Sequence, residues 1–208
     1  MELRKYELGP IGTNAFAIIQ DYNAIVVDAP ADSAKIIFSD LEKDKVGVSD
    51  LLFTHGHWDH MADGADFVEK GVTTYGHRAD TILFNDPMIQ SSFMLPGLDL
   101  KPVQIHNWLE QGQEINLLGF EIEVRHVPGH CPGNIMFYIA QEKIAFVGDA
   151  LFSGGIGRYD LPGGDLEILE RSIQEQIYTL PGETKVFAGH GPETNVEKEK
   201  NTNPFVRA

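Results

Sequence analysis

The chain of 208 residues holds a single cysteine, Cys131, so no intrachain disulfide can form, which fits a reducing compartment. Basic residues are scarce. Sixteen Lys and Arg stand against 31 Asp and Glu, a formal net charge of -15. A surface that acidic repels phosphate backbones and argues against a nucleic-acid partner. Long apolar runs are also missing: no stretch approaches the ~18 consecutive apolar residues of a membrane span. Met1-Glu2-Leu3-Arg4-Lys5 lacks the apolar core of a secretion signal. The expectation is a cytoplasmic protein with neither a membrane nor a nucleic-acid partner; oligomeric state is left open. What is present is ordinary for a globular chain, 42% hydrophobic and 23% charged residues. The length suits one large α/β domain or two small ones, and one domain over residues 1–208 is expected.

Patterning predicts strands over residues 3–8, 15–19 and 24–27, then a helix over 31–43 with Ala34, Ile37, Phe38 and Leu41 on one stripe. A strand over 48–54, a helix over 62–70 ending at Gly71, a strand over 72–75 and a helical turn or two over 77–84 follow. The apolar loop 85–100 reads either as a packed crossover or as a flap over substrate. Residues 103–148 read as strands joined by tight turns, with a hairpin at Gln141-Glu142-Lys143. Asp165 should cap a helix over 165–180 that carries Leu166, Leu169, Ile173 and Ile177 on one face. A strand over 185–188 and a helix over 194–200 close the chain. The order suggests an α/β fold of two sheets between helices.

The stretch Thr54-His55-Gly56-His57-Trp58-Asp59-His60 follows the apolar run Leu51-Leu52-Phe53. It sets three imidazoles and a carboxylate within six positions. In extended chain His55 and His57 project to the same side. A turn at Gly56-Trp58-Asp59 then lets Asp59 and His60 face back. Imidazole suits zinc, iron and related ions, and carboxylate is the harder ligand. The competing reading is a polar strand-to-helix loop with Asp59 as an N-cap. Three later segments repeat one theme: an apolar strand, a small residue, then a ligand type. They are Pro128-Gly129-His130, Gly148-Asp149 and Gly189-His190-Gly191. Glycine beside the ligand lets backbones approach closely.

With THGHWDH (Thr54 to His60), PGHCPG (Pro128 to Gly133), GD (Gly148-Asp149) and GHGP (Gly189 to Pro192), the chain resembles the metallo-β-lactamase-fold superfamily. Within it, the chain is similar to the short glyoxalase II-like, hydroxyacylglutathione hydrolase-like proteins. Gly155-Ile156-Gly157-Arg158-Tyr159-Asp160 and the ending from Gly191 through Asn203-Pro204-Phe205 carry that subgroup likeness. The resemblance implies an αββα four-layer sandwich with two divalent metal ions along one sheet edge. Zinc comes first, with iron or manganese as alternatives. It implies that His55, His57 and His130 hold one metal, that Asp59, His60 and His190 hold the other, and that Asp149 bridges them. Asp59 and Asp149 are the catalytic carboxylates on this reading. Two departures stand out: Met61-Ala62-Asp63-Gly64 replaces a common Gly-Gly, and with only a few residues after Phe205 the expectation is a protein without the further helical domain with which long glyoxalase II enzymes grip glutathione.

The expected activity is metal-dependent hydrolysis of a small acyl-thiol, S-lactoylglutathione or a relative. Two cations can lower the pKa of a shared water towards neutrality and stabilise a tetrahedral oxyanion. A leaving thiolate, with a parent pKa near ~8.5, departs without a strong general acid. Persulfide dioxygenase on a single iron is the alternative, and lactonase a further one. A hard carboxylate at 149, where class B β-lactamases commonly place a cysteine, disfavours the lactamase reading. On the substrate side the candidates are Arg158, Tyr159 and Phe93. Arg158 either clamps a substrate carboxylate or pairs with Asp160. Tyr159 lines the same pocket or packs. Cys131 is a redox-sensitive thiol or a small apolar filler. His126 is an outer partner of a ligand or a structural histidine, and His77, His106 and Trp58 are read as structural.

Overall fold

The computed structural model describes residues 1–207. Two compact units emerge, one from Met1 to Trp108 and the other from Leu109 onward. In the first, strands β1 (Glu2–Leu8), β2 (Thr13–Gln20), β3 (Asn23–Val27), β4 (Gly47–Leu52), β5 (Thr73–His77) and β6 (Asn107–Leu109) form one sheet in that order. β1 to β3 are an antiparallel meander, whereas β3, β4 and β5 run parallel. Parallel neighbours need crossovers. Helix α1 (Ser33–Lys43) supplies the first, and the short α2 (Trp58–Met61) and α3 (Gly64–Glu69) supply the second. Ala34, Ile37 and Leu41 of α1 and Phe67 of α3 pack with Ala17, Val26, Leu51 and Phe53 of the sheet side. Burial of each large apolar side chain contributes roughly 1.5–3 kcal/mol. A 3₁₀ turn, Arg78–Asp80, leads into α4 (Thr81–Asn85), and a second 3₁₀ segment covers Pro87–Ser92.

In the second unit the sheet order is β14-β13-β10-β9-β8-β7. Its strands are β7 (Glu114–Leu117), β8 (Phe120–His126), β9 (Ile135–Ile139), β10 (Ile144–Gly148), β13 (Lys185–Ala188) and β14 (Thr194–Asn195). A small hairpin, β11 (Leu151–Phe152) with β12 (Gly155–Ile156), leaves the end of β10. Helices α5 (Leu166–Ser172) and α6 (Val196–Thr202) complete the unit. Leu169, Ile173 and Ile177 pack with Met136, Tyr138, Ala145, Val147 and Val186.

Asp165 caps α5 as expected, its Oδ1 accepting from the Ile168 amide at 3.0 Å. The helix expected to run to 180 instead gives way to a π-type turn over Ile173–Ile177. There the Tyr178 amide bonds to Ile173 O at 2.9 Å. The extra residue turns Tyr178 into the core, where its hydroxyl donates to Val206 O at 2.9 Å. Burial raises the pKa of that hydroxyl, with the negative charge of Glu199 adding to the shift. The expected helix over 62–70 is realised as the shorter α3, with the separate short α2 before it, and the β11–β12 hairpin has no counterpart in the sequence patterning.

Parallel register decides where the polar ends lie. Val27 pairs with Leu52, and the Asp28 amide donates to Leu52 O at 2.9 Å, so Asp28 and the segment after Leu52 leave the sheet at the same edge. In the second unit Gly148 pairs with Ala188, and the Gly189 amide donates to Gly148 O at 2.9 Å. Asp149 and His190 therefore leave adjacent strand ends. Ligands collect at the carboxyl ends of parallel strands for this topological reason.

Candidate metal centre

The first unit brings His55, His57, Asp59 and His60 together. The His55 and His57 ring centroids are 4.7 Å apart and those of His55 and His60 4.1 Å. His57 is extended and precedes α2, whose first turn contains Asp59. Asp59 is thus not the N-cap of the competing reading. All four side chains are buried. His60 Nε2 and Asp59 Oδ2 are 3.4 Å apart. In the second unit Asp149 Oδ2 lies 3.8 Å from His130 Nε2 and 3.4 Å from His190 Nε2.

These separations exceed the ~2.7–2.9 Å of a charge-assisted hydrogen bond. The two 3.4 Å separations match the roughly 3.4 Å edge of a tetrahedron of ligands about 2.1 Å from a zinc-type ion. The donor set, imidazole nitrogens with carboxylate oxygens, fits a divalent first-row metal.

Tautomers fit as well. Thr54 has one hydroxyl proton and donates it to Asp28 Oδ2 at 2.8 Å. Its oxygen therefore accepts from His55 Nδ1–H at 3.1 Å. His60 Nδ1–H donates to Asp28 Oδ2 at 2.8 Å, and His130 Nδ1–H to the Arg158 carbonyl at 2.7 Å. In all three rings the Nε2 lone pair is left to face the ligand cluster. Such outer partners fix the ring and raise its basicity.

Asp28 is the hub of the first unit's ligands, and nothing in the local sequence pattern singles it out. Its Oδ1 also accepts the Thr54 amide at 2.8 Å. Its φ of 60° is left-handed, a conformation Asp tolerates better than most residues. Three more supports were missed. Thr13 Oγ1 donates to Asp59 Oδ2 at 2.7 Å. Asp80 Oδ2 accepts the Gly56 amide at 2.8 Å. The fully buried Gln90 accepts from the Trp58 amide at 2.9 Å and donates to Gly56 O at 3.0 Å. Those two partners admit only one orientation of the Gln90 amide. Gly56 has no room for a side chain, since a Cβ would meet Leu83 Cβ at 2.9 Å. None of these supports carries a local motif. Each is a lone polar residue whose partner is 20 or more positions away.

Gln90 ties the loop 85–100 to the ligand loop, as the packed-crossover reading expects. Its base is packed into the ligand loop, while Ile89 and Leu95 stay exposed. Replacing Gln90 with Leu should cost about 2 kcal/mol, because the Trp58 amide and the Gly56 carbonyl lose buried partners. Thermal unfolding of the variant checks this; a melting point equal to that of the wild type would show that the clasp contributes nothing.

The substrate-side residues are placed as follows. Phe93 sets its ring edge-on to His57, with centroids 5.8 Å apart. Arg158 makes a two-point pair with Asp160, Nε to Oδ1 at 2.8 Å and Nη2 to Oδ2 at 3.0 Å. That bond raises the Arg158 pKa and lowers that of Asp160. Tyr159 is exposed. His126 Nε2 bonds to the Pro132 carbonyl at 2.7 Å and so holds the His130 loop. Cys131 is buried, which suits a filler. His77 accepts from the Ala79 amide and His106 bonds to Thr74, both structural roles. Trp58 is buried. No helix among the described residues is long and apolar enough to cross a membrane.

Strand ends carrying imidazoles and carboxylates, on two α/β units, define the class: a metal-dependent hydrolase fold. The profile of the Metallo-beta-lactamase superfamily matches residues 8–190, and the chain belongs to that superfamily. It is 36% identical over 207 residues to the Probable metallo-hydrolase YqgX of Bacillus subtilis (strain 168), covering 99% of this chain and 98% of that one. It is 37% identical over 190 residues to the Hydroxyacylglutathione hydrolase GloC of Haemophilus influenzae, covering 89% and 88%. Among solved structures, BLEG-1 B3 metallo-beta-lactamase matches with TM-score 0.89 at 32% identity, over 100% of both chains. TTHA1623 in a di-iron-bound form matches with TM-score 0.86 at 33% identity, over 98% of this chain and 100% of that one. The expected α/β metallo-β-lactamase fold and the short glyoxalase II-like kinship both hold.

Proposed function

We propose that residues 1–208 act as one domain that hydrolyses thioesters, S-lactoylglutathione or related small acyl-thiols, with two divalent metal ions. The observation that carries the proposal is the intact donor set, four residues in the first unit and three in the second, with a carboxylate rather than a thiol at 149. Similarity to a hydroxyacylglutathione hydrolase supports the substrate class, and similarity to a di-iron protein supports two ions. Zinc and iron both suit these ligands. Following the resemblance, His55, His57 and His130 serve one ion, Asp59, His60 and His190 the other, and Asp149 both.

When bound, the ions would supply a nucleophilic water at neutral pH and positive charge for the oxyanion. The chain's own residues do the rest. Asp28 and Thr54 hold His55 and His60 in one tautomer. Thr13 directs Asp59 Oδ2. Asp149, buried beside His130 and His190, would place its carboxylate against the ions and offset part of their charge. The thiolate needs no general acid to leave. Phe93 walls the site next to His57, and Tyr159 offers an exposed ring to the thiol portion. Arg158 would take a substrate carboxylate by sharing its fork with Asp160.

Elemental analysis after metal-replete expression should give two ions per chain, and the same sample should hydrolyse S-lactoylglutathione or a simpler acyl-thiol. A stoichiometry of one, with O₂ consumed on a persulfide, would replace this reading with the dioxygenase. β-Lactam hydrolysis is a second reading, favoured by the likeness to BLEG-1. Its leaving nitrogen needs a proton that a thiolate does not. A chromogenic cephalosporin turned over faster than the thioester would decide for it.

A further inference from the structure

We propose that Glu199 is the positioning residue of the second unit's ligand set, a role that rests on the metal-dependent reading above. Glu199 lies in α6, is fully buried, and touches none of the candidate ligands. A carboxylate is rarely buried without a set of donors to satisfy it. Here two of the donors, Gly154 and Thr194, belong to segments that lead from ligands, and the third, Asn203, ends α6 itself.

Oε2 accepts the Gly154 amide at 3.0 Å and Asn203 Nδ2 at 3.0 Å. Oε1 accepts the Thr194 hydroxyl at 2.5 Å. Asn203 Nδ2 also donates to Gly155 O at 3.1 Å. Lys198 donates to Ser153 Oγ at 2.9 Å and lies 3.7 Å from Glu199 Oε1. The turn Ser153-Gly154-Gly155 is thus tied to α6 at three points. That turn closes the β11–β12 hairpin, whose first strand starts two residues after Asp149. Past the second strand, the Gly157 amide donates to Ala150 O at 3.3 Å. The next residue, Arg158, offers the carbonyl that orients His130. Thr194 stands four residues beyond His190. One carboxylate therefore braces the segments behind Asp149, His130 and His190 together.

Its effect should appear in metal affinity before anything else. Outer partners of metal ligands typically change affinity 10–100-fold. Glu199 acts one bond further out, so about tenfold is expected. Chelator-treated protein is titrated with Co²⁺ and followed by visible absorption, with a competing chelator to set the affinity. Glu199→Leu removes both acceptors and should weaken Co²⁺ about tenfold while the far-UV circular dichroism stays native. Glu199→Gln should recover most of the loss. Its amide oxygen can still accept from Gly154 and Asn203, and its NH₂ can donate to Thr194 Oγ1.

Wild-type Co²⁺ affinity and spectrum in Glu199→Leu would overturn the assignment. So would an equal loss in both variants, since acceptor geometry would then not be the cause. Should Glu199→Leu fail to fold, Thr194→Val, which deletes one donor, must still weaken Co²⁺ by a few fold; an unchanged affinity there rejects the brace. A wild-type chain that takes up no cobalt overturns the metal reading itself, whereas normal uptake by both wild type and Glu199→Leu removes only the role of Glu199.

Discussion

Asp149→Asn should fold normally and lose turnover by roughly a hundred- to a thousandfold, the range seen when a preorganised electrostatic group is removed from a catalytic site. The amide keeps the size of the carboxylate, so packing at this buried position is undisturbed. The charge is what disappears. Asp149 Oδ2 lies 3.4 Å from His190 Nε2 and 3.8 Å from His130 Nε2, where it would offset cations held by those rings. A neutral amide holds two cations poorly, so metal content should fall alongside kcat. Steady-state hydrolysis of a thioester, with elemental analysis of the same sample, checks both. Near-normal turnover at full occupancy would exclude Asp149 from the shared-ligand role.

Gly157→Ala should lower stability by about 3 kcal/mol, at the upper end of overpacking costs. For a chain of this length that corresponds to a melting point lower by about 6–12 °C. A Cβ on Gly157 would stand 1.8 Å from the Asp149 carbonyl oxygen and 3.1 Å from His130 Cβ. Those are a backbone atom and the root of a ligand side chain, so no flexible tip can give way. The backbone must move, and it carries both residues with it. Metal content should therefore fall in the same variant. Differential scanning calorimetry and elemental analysis test the two halves separately, and an unchanged melting point would contradict the close approach. The control that adds the same single carbon is Gly154→Ala, where no neighbour lies within 4 Å of the added carbon and the cost comes only from the positive φ of 76°.

The ligands were legible because each sits where a local pattern changes. His55 to His60 follow an apolar strand, and His130, Asp149 and His190 each follow a strand and a glycine. Their supports were not legible. Asp28 and Gln90 are single polar residues, 26 and 34 positions from the Thr54 and Gly56 groups they hold. Arg158 shows the same division within one residue. Its side chain was singled out as a substrate clamp or a partner of Asp160, and it pairs with Asp160. Its carbonyl, which any residue would supply, orients His130.

Sequence alone determined the α/β class, the superfamily and the seven candidate ligands. These rest on hydrophobic period, turn chemistry and ligand spacing, which are properties of neighbouring residues. Tertiary structure decided which tautomer His55, His60 and His130 adopt, that loop 85–100 clasps the ligand loop through Gln90, and that the helix expected over 165–180 opens into a π-type turn. It also placed Glu199 behind the second unit's ligands. The π-type turn rests on a local bond between Tyr178 and Ile173, and the other three share one reason. A hydrogen bond acts over about 3 Å in space whatever the distance along the chain, and parallel pairing of β3 with β4 and of β10 with β13 sets which distant residues come that close.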